Sequence, residues 1–388
     1  MASHAFDGIT EEQLRSRGSM KWTDHPGTIG AWVAEMDFGV APVIRDALER
    51  ALDDGATGYL PTAFSAELAE ATAAWYARTT GWEVDPGRIH PLPDVISAFE
   101  LAIERFSAPG SAVIVPTPAY MPFLFVPEMH GRRVIQVPSI EVEGRMTMDL
   151  DGVAAAFDDG GGLLVLCNPH NPLGTVATPA ELAAIAEVVH AKGGRVFSDE
   201  IHAPLVYAPA RHVPYASVSD IAADHTVTAV SASKAWNLAG LKCAQIVLSN
   251  EADAIAWEEF GPWAGHGTST LGVIANTAAF TDGGPWLDDV VTYLDGNRRL
   301  LVELLAEHAP RAQVRMPEGT YIALIDVRDY RLEGDLGEWF REHAGVAMTD
   351  GLACGDAAAG HVRFVFSLPR PLLRDAVERI GRALAALD

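Results

Sequence analysis

The chain has 388 residues, 49% hydrophobic and 21% charged, the usage of an ordinary folded protein with room for two or three domains. Its 28 Lys and Arg stand against 52 Asp and Glu, a net charge of −24, which argues against nucleic-acid binding and against docking on an anionic membrane. Three scattered cysteines, Cys167, Cys243 and Cys354, form no CxxC, and neither a secretory leader pattern nor an apolar run of about 18 residues occurs, so a reducing, cytoplasmic setting without a disulfide framework is expected.

In chain order, residues 1–40 carry little helical periodicity and are rich in Gly, Pro and Trp; they read as an arm lying on the rest. Helical patterns follow at 41–54 and 65–80. Short apolar strands are then expected at 111–116, 132–138, 162–168, 194–199, 226–232 and 244–249, with helices between several of them. The clearest of these helices, 179–192, opens on Thr178-Pro179-Ala180-Glu181, a capping box with Pro at the first helical position. This alternation predicts an α/β fold with a mostly parallel sheet covered by helices on both faces. After residue 283 the pattern changes to a long helix (285–308), strands within 312–326, a helix near 335–344, a strand at 361–366 and a final helix at 371–386, which predicts a smaller α+β domain. The expected division is an arm with part of the small domain (1–45), a large domain (46–283) and a C-terminal small domain (284–388), with a hinge near Gly283-Gly284-Pro285.

Open α/β sheets gather ligands beyond the carboxyl ends of their strands. Four of the expected strands end near Tyr120, Asn171, Asp199 and Lys234, so crossover loops bring an aromatic ring, an amide, a carboxylate and an amine to one edge. A desolvated lysine forms Schiff bases with aldehydes, a buried carboxylate keeps a pyridine nitrogen protonated, an amide binds a phenolate oxygen, and a tyrosine ring stacks on a flat heteroaromatic. Together they describe a pyridoxal 5'-phosphate site.

The motifs Met20-Lys21-Trp22, Trp32-Val33-Ala34-Glu35-Met36-Asp37-Phe38, Gly58-Tyr59, NPHNPLG (168–174), SDEIH (198–202) and SASKAWNLAGLK (231–242) resemble fold-type I pyridoxal-phosphate enzymes of the aspartate aminotransferase superfamily. Within it the chain is similar, over nearly its whole length, to the MalY/PatB branch of cystathionine β-lyases and cysteine-S-conjugate β-lyases. The resemblance implies a seven-stranded large sheet and a homodimer. It implies that Lys234 is the Schiff-base lysine and moves the Cα proton, that Asp199 pairs with the pyridinium nitrogen, that Asn171 binds the phenolate oxygen and that Tyr120 stacks on the ring. Ser231, Lys242 and the backbone N–H groups of Val95 and Ile96 would hold the phosphate at a helix N-terminus. Tyr59 would reach the phosphate of the neighbouring subunit, and Arg363 would bind the substrate carboxylate. His202 stands where many aminotransferases carry Tyr near the phenolate oxygen, and is expected close to the cofactor. Trp32, with Trp236 and Trp263, is a candidate lining of the substrate pocket.

Two positions depart from the family pattern. Glu35 replaces an Asp, and the phosphate turn reads Pro93-Asp94-Val95-Ile96 in place of a glycine-bearing turn, where Asp94 repels phosphate unless its side chain turns to cap the helix. The reaction implied is β-elimination from a cysteine S-conjugate, giving a thiol, pyruvate and ammonia. Two alternatives share the residues: transamination, and a secondary-metabolism relative that deaminates or decarboxylates an S-conjugated cysteine. Neither a P-loop nor an HExxH motif occurs, and no metal site is expected.

Overall fold

The computed structural model describes residues 2–387. Its central sheet has seven strands: β1 (Ile89–Leu92), β2 (Ala112–Thr117), β3 (Val134–Pro138), β4 (Gly161–Cys167), β5 (Arg195–Asp199), β6 (Thr226–Val230) and β7 (Ala244–Leu248). They lie in the order β1-β7-β6-β5-β4-β2-β3. The five strands from β6 to β3 run parallel, while β7 is antiparallel to both of its neighbours. Strands β2, β4, β5 and β6 are buried along nearly their whole length, as a parallel sheet covered on both faces requires. One apolar layer, built on Phe99, Phe123 and Trp257, covers one face; another, built on Phe157, Ile185 and Tyr215, covers the other.

The capping box at 178–181 forms as expected: the Thr178 hydroxyl accepts from the Glu181 N–H, and the Glu181 carboxylate accepts from the Thr178 N–H at 2.7 Å. Strand β3 starts two residues later than the apolar pattern suggests. Arg132 turns inward there, its guanidinium bonding the carbonyls of Ala108 and Ser111.

A second sheet of four antiparallel strands, β8 (Gln313–Val314), β9 (Ile322–Asp326), β10 (Thr349–Asp350) and β11 (His361–Val365), follows the long helix Gly284–His308. The arm differs from expectation in holding three short helices, Ala2–Asp7, Glu11–Ser16 and Met20–Thr23. It then pairs in parallel with the C-terminal part of the chain, Ile29 against Val346 and Gly30 against Ala347. A single apolar cluster joins Trp22 of the arm, Trp236, Tyr293 of the long helix and Phe366. Among the described residues no helix is long and apolar enough to cross a membrane.

Candidate active site

The register of the central sheet sets the site. Cys167 lies opposite Asp199, and Asp199 opposite Ala229, so β4, β5 and β6 end level with one another. The loops beyond them carry Asn171, Asp199 itself and Lys234.

Asp199 is buried, and its Oδ1 accepts the Ile201 N–H at 3.1 Å; the Cys167 thiol lies 3.8 Å from Oδ2. No cation among the described residues bonds to it. Burial pushes its carboxyl up to about 6, against the opposing pull of the Ile201 N–H, Cys167 and Lys234. Lys234 donates from Nζ to the Ala34 carbonyl at 3.0 Å. Burial and the nearby Arg363 charge bring its amine down to about 8, with Glu35 and Asp199 pulling the other way. Its neutral form is therefore accessible near neutral pH.

Arg363, on β11, is buried and has no carboxylate partner among the described residues. Its Nη1 donates to the Trp32 carbonyl at 2.9 Å and its Nε to Asn171 Oδ1 at 3.1 Å. Burial lowers its pKa, as for a cation held ready for an absent anion. Asn171 is buried, and its amide NH₂ makes no hydrogen bond among the described residues, so its donors remain available. Tyr120 is half-buried, edge-on to Phe123, with its phenol raised by burial. His202 is buried; burial, then Lys234 and Arg363, hold its imidazole well below the ordinary value, and its Nδ1 has no partner. Both charges disfavour its protonated form.

The expected phosphate seat differs in detail. Asp94 turns to cap the helix Val95–Arg105, its Oδ1 accepting the Ser97 N–H at 2.8 Å, while its Oδ2 meets Lys242 Nζ at 2.7 Å. Burial opposes ionisation of Asp94, but the Lys242 and Ser97 bonds hold its carboxyl below the usual range. Lys242 is thus already paired at the helix start. The N–H groups of Val95 and Ile96 have no partner among the described residues, as the first turn of a helix leaves them. The Ser231 hydroxyl donates to the Cys243 carbonyl at 2.7 Å and accepts the Ser233 N–H at 2.9 Å. Its proton is committed; the hydroxyl of Ser233, two residues on, makes no hydrogen bond among the described residues.

Trp32 reaches the site through its backbone. The indole donates to the Lys21 carbonyl at 3.3 Å and packs on His25, while the carbonyl holds Arg363. Trp236 is fully buried, donating to the Gly283 carbonyl, so it belongs to the core. Tyr59 and Trp263 are both exposed, each stacked on His266.

These residues fit pyridoxal phosphate. A buried carboxylate without a cation matches a pyridinium N–H, an unbonded amide NH₂ matches a phenolate oxygen, and free N–H groups at a helix start match a phosphate. The comparisons agree. The model of the family described as aminotransferase class I and II matches residues 33–380. A Mycobacterium tuberculosis protein provisionally named cystathionine β-lyase is 42% identical, with 99% of each chain covered. A Corynebacterium glutamicum protein named cystathionine β-lyase is 38% identical over 96% of this chain and 98% of that one. A crystal structure from Corynebacterium diphtheriae, described provisionally as a PLP-dependent β-cystathionase, superposes with a TM-score of 0.92 at 39% identity, covering 97% of this chain and 98% of that one. The chain belongs to the aminotransferase class I and II family. Within that family it is a pyridoxal-phosphate-dependent carbon–sulfur β-lyase.

Proposed function

We propose that the chain cleaves the Cβ–S bond of cystathionine or another cysteine S-conjugate, releasing a thiol, pyruvate and ammonia, in the cytoplasm and as a homodimer. The observation that carries this reading is the meeting of three ill-matched buried charges: an amine near 8 and a carboxyl near 6 at the edge of the central sheet, and, from β11 of the second sheet, a guanidinium with no carboxylate partner among the described residues. An α-amino acid bound with the cofactor resolves all three.

When bound, pyridoxal phosphate supplies an aldehyde and a ring that accepts the electrons freed at Cα. Arg363 takes the substrate carboxylate through the edge of its guanidinium not held by Asn171 and Trp32, which fixes the Cα–H direction. Lys234 removes that proton through Nζ and delivers it toward the departing sulfur. Asp199 holds a proton on the ring nitrogen through its buried carboxylate. Asn171 donates to the ring oxygen, and Tyr120 and His202 shape the walls. Val95 N–H, Ile96 N–H, Ser233, Lys242 and Ser231 surround the phosphate, and Tyr59 reaches the neighbouring subunit's site. The division into 1–45, 46–283 and 284–388 belongs to the same reading and is supported by the two separate sheets.

The test is stoichiometric. The purified enzyme with L-cystathionine should form pyruvate and free thiol in equal amounts with no added keto acid. Amino transfer that needs a keto acid and releases no thiol would overturn the reading.

A further inference from the structure

The segment Trp32–Asp37 is bonded at nearly every residue, and its partners come from three parts of the chain. The Trp32 carbonyl holds Arg363, and the Ala34 carbonyl accepts both Lys234 Nζ at 3.0 Å and the Tyr321 hydroxyl at 2.8 Å. The Glu35 carbonyl accepts Lys21 Nζ at 3.1 Å and the Ser367 hydroxyl at 2.8 Å. Met36 is gripped on both sides by one amide: Asn237 Oδ1 accepts its N–H at 2.9 Å, and Asn237 Nδ2 donates to its carbonyl at 2.8 Å. Asn237 sits at φ +61°, a left-handed backbone that asparagine tolerates well. It follows Lys234 by three residues on a turn closed by Trp236 N–H to Ala232 O and Leu238 N–H to Ser233 O.

We propose that Asn237 is a positioning residue for the lyase reaction, fixing the segment that carries the Ala34 carbonyl against the turn that carries Lys234. Two carbonyls two residues apart hold the two cations that must face the same substrate, and Asn237 sets their distance from the sheet edge. When Lys234 is a neutral amine, one N–H to Ala34 O leaves the lone pair directed elsewhere, toward the proton it removes. The proposal rests on Lys234 as the base.

The test uses the cofactor-loaded full chain. Asn237→Gly keeps the left-handed backbone and removes the grip; Asn237→Asp keeps the acceptor for Met36 N–H and loses the donor. Asn237→Gly should speed hydrogen exchange at the Met36 amide, change the visible circular dichroism of the bound cofactor, and lower kcat at saturating cystathionine by about tenfold or more, a misplacement effect. Asn237→Asp should fall between it and the parent. If Asn237→Gly does not fold, Tyr321→Phe, which removes the other protein donor to Ala34 O, should move the dichroism and kcat in the same direction. Faster Met36 exchange with kcat within about twofold of the parent, unchanged exchange, or an inert Tyr321→Phe would each overturn the proposal. Lys234→Ala, assayed alongside, separates this from a wrong base: a Lys234→Ala enzyme that still turns over would sink that assignment, whatever Asn237 does.

Discussion

Asp199 and Lys234 make opposite demands on pH. Burial raises the Asp199 carboxyl to about 6, so without cofactor the folded chain binds that proton more tightly than the unfolded chain does. The associated stability is present below the unfolded pKa and lost as pH rises through about 6, a change of about 3 kcal/mol. Asp199→Asn should abolish this loss. In cofactor-free protein, the variant's melting temperature relative to the parent should rise from about pH 4 to about pH 7; a constant difference would show that the carboxyl is not held up by burial. A bound pyridinium reverses the preference, so the cofactor should stabilise the parent more than the variant at neutral pH. Lys234, lowered to about 8, should react with amine reagents in the cofactor-free chain with a midpoint near that value; a midpoint at the ordinary lysine value would remove the case for its neutral form. Arg363 has its Nε and one Nη occupied, which leaves a single outward edge for a carboxylate. Arg363→Lys loses that planar geometry and should raise KM for cystathionine by about 10–100-fold, the worth of a charged hydrogen bond. Unchanged KM would place the carboxylate elsewhere.

At the scale of elements, the helix Val95–Arg105 shows how one residue serves two ends. Asp94 caps it, stabilising it by about 1 kcal/mol, yet sets a negative charge beside the expected phosphate and occupies Lys242. Asp94→Asn retains an oxygen for the Ser97 N–H and frees Lys242. The variant should keep its melting temperature and bind pyridoxal phosphate more tightly, measured by equilibrium titration; weaker binding would mean that the Asp94–Lys242 pair itself builds the seat. The sequence offered both orientations of Asp94 and could not choose, because the choice depends on Lys242, which lies 148 residues away. The same limit explains what else was legible. Six of the seven central strands stand out, five because nearly continuous burial leaves β-branched and apolar runs, and β3, only partly buried, through its Val134-Ile135-Gln136-Val137 run. Ile89-His90-Pro91-Leu92 does not, since Pro and His interrupt its pattern. The reversed direction of β7 leaves no trace in a periodicity. The arm's helices of four to six residues are too short for a 3.6-residue period to appear. Asp199, Asn171 and Lys234 were legible because their chemistry and strand-end positions are local. Asn237, Ser233 and Tyr321 were not, because their roles consist of bonds made or left unmade in the folded chain.

Across the molecule, the arm is held by a buried ion pair. Lys21 Nζ meets Asp37 Oδ2 at 3.0 Å, and Trp22 Nε1 donates to Asp37 Oδ1 at 2.8 Å. Burial raises the Asp37 carboxyl against the pull of Lys21, Trp22 and Arg17, with Lys21 the largest offset to the desolvated charge. Lys21→Met should destabilise the protein by about 3–5 kcal/mol in denaturant melts; a loss under about 1 kcal/mol would mean that water replaces the lysine. The larger question is whether two chains share each site. Tyr59 is 89% exposed and Trp263 78%, both stacked on His266, an aromatic surface with no covering in one chain. If Tyr59 acts on the neighbouring subunit, a Lys234 defect on one chain and a Tyr59 defect on the other fall in the same site of a mixed dimer. Protomers with Lys234→Ala, mixed with protomers with Tyr59→Ala, then give hybrids in which one site holds an intact Lys234 from one chain and an intact Tyr59 from the other. Random exchange makes about half the dimers hybrid, with one good site of two, so about a quarter of parental activity should return. If Tyr59 acts within its own chain, every site in the mixture carries a defect, and activity stays at the average of the two parents. The outcome depends only on which chain supplies the tyrosine, because in either variant alone every site carries a single lesion by the symmetry of the dimer, and only the hybrid can gather both lesions into one site.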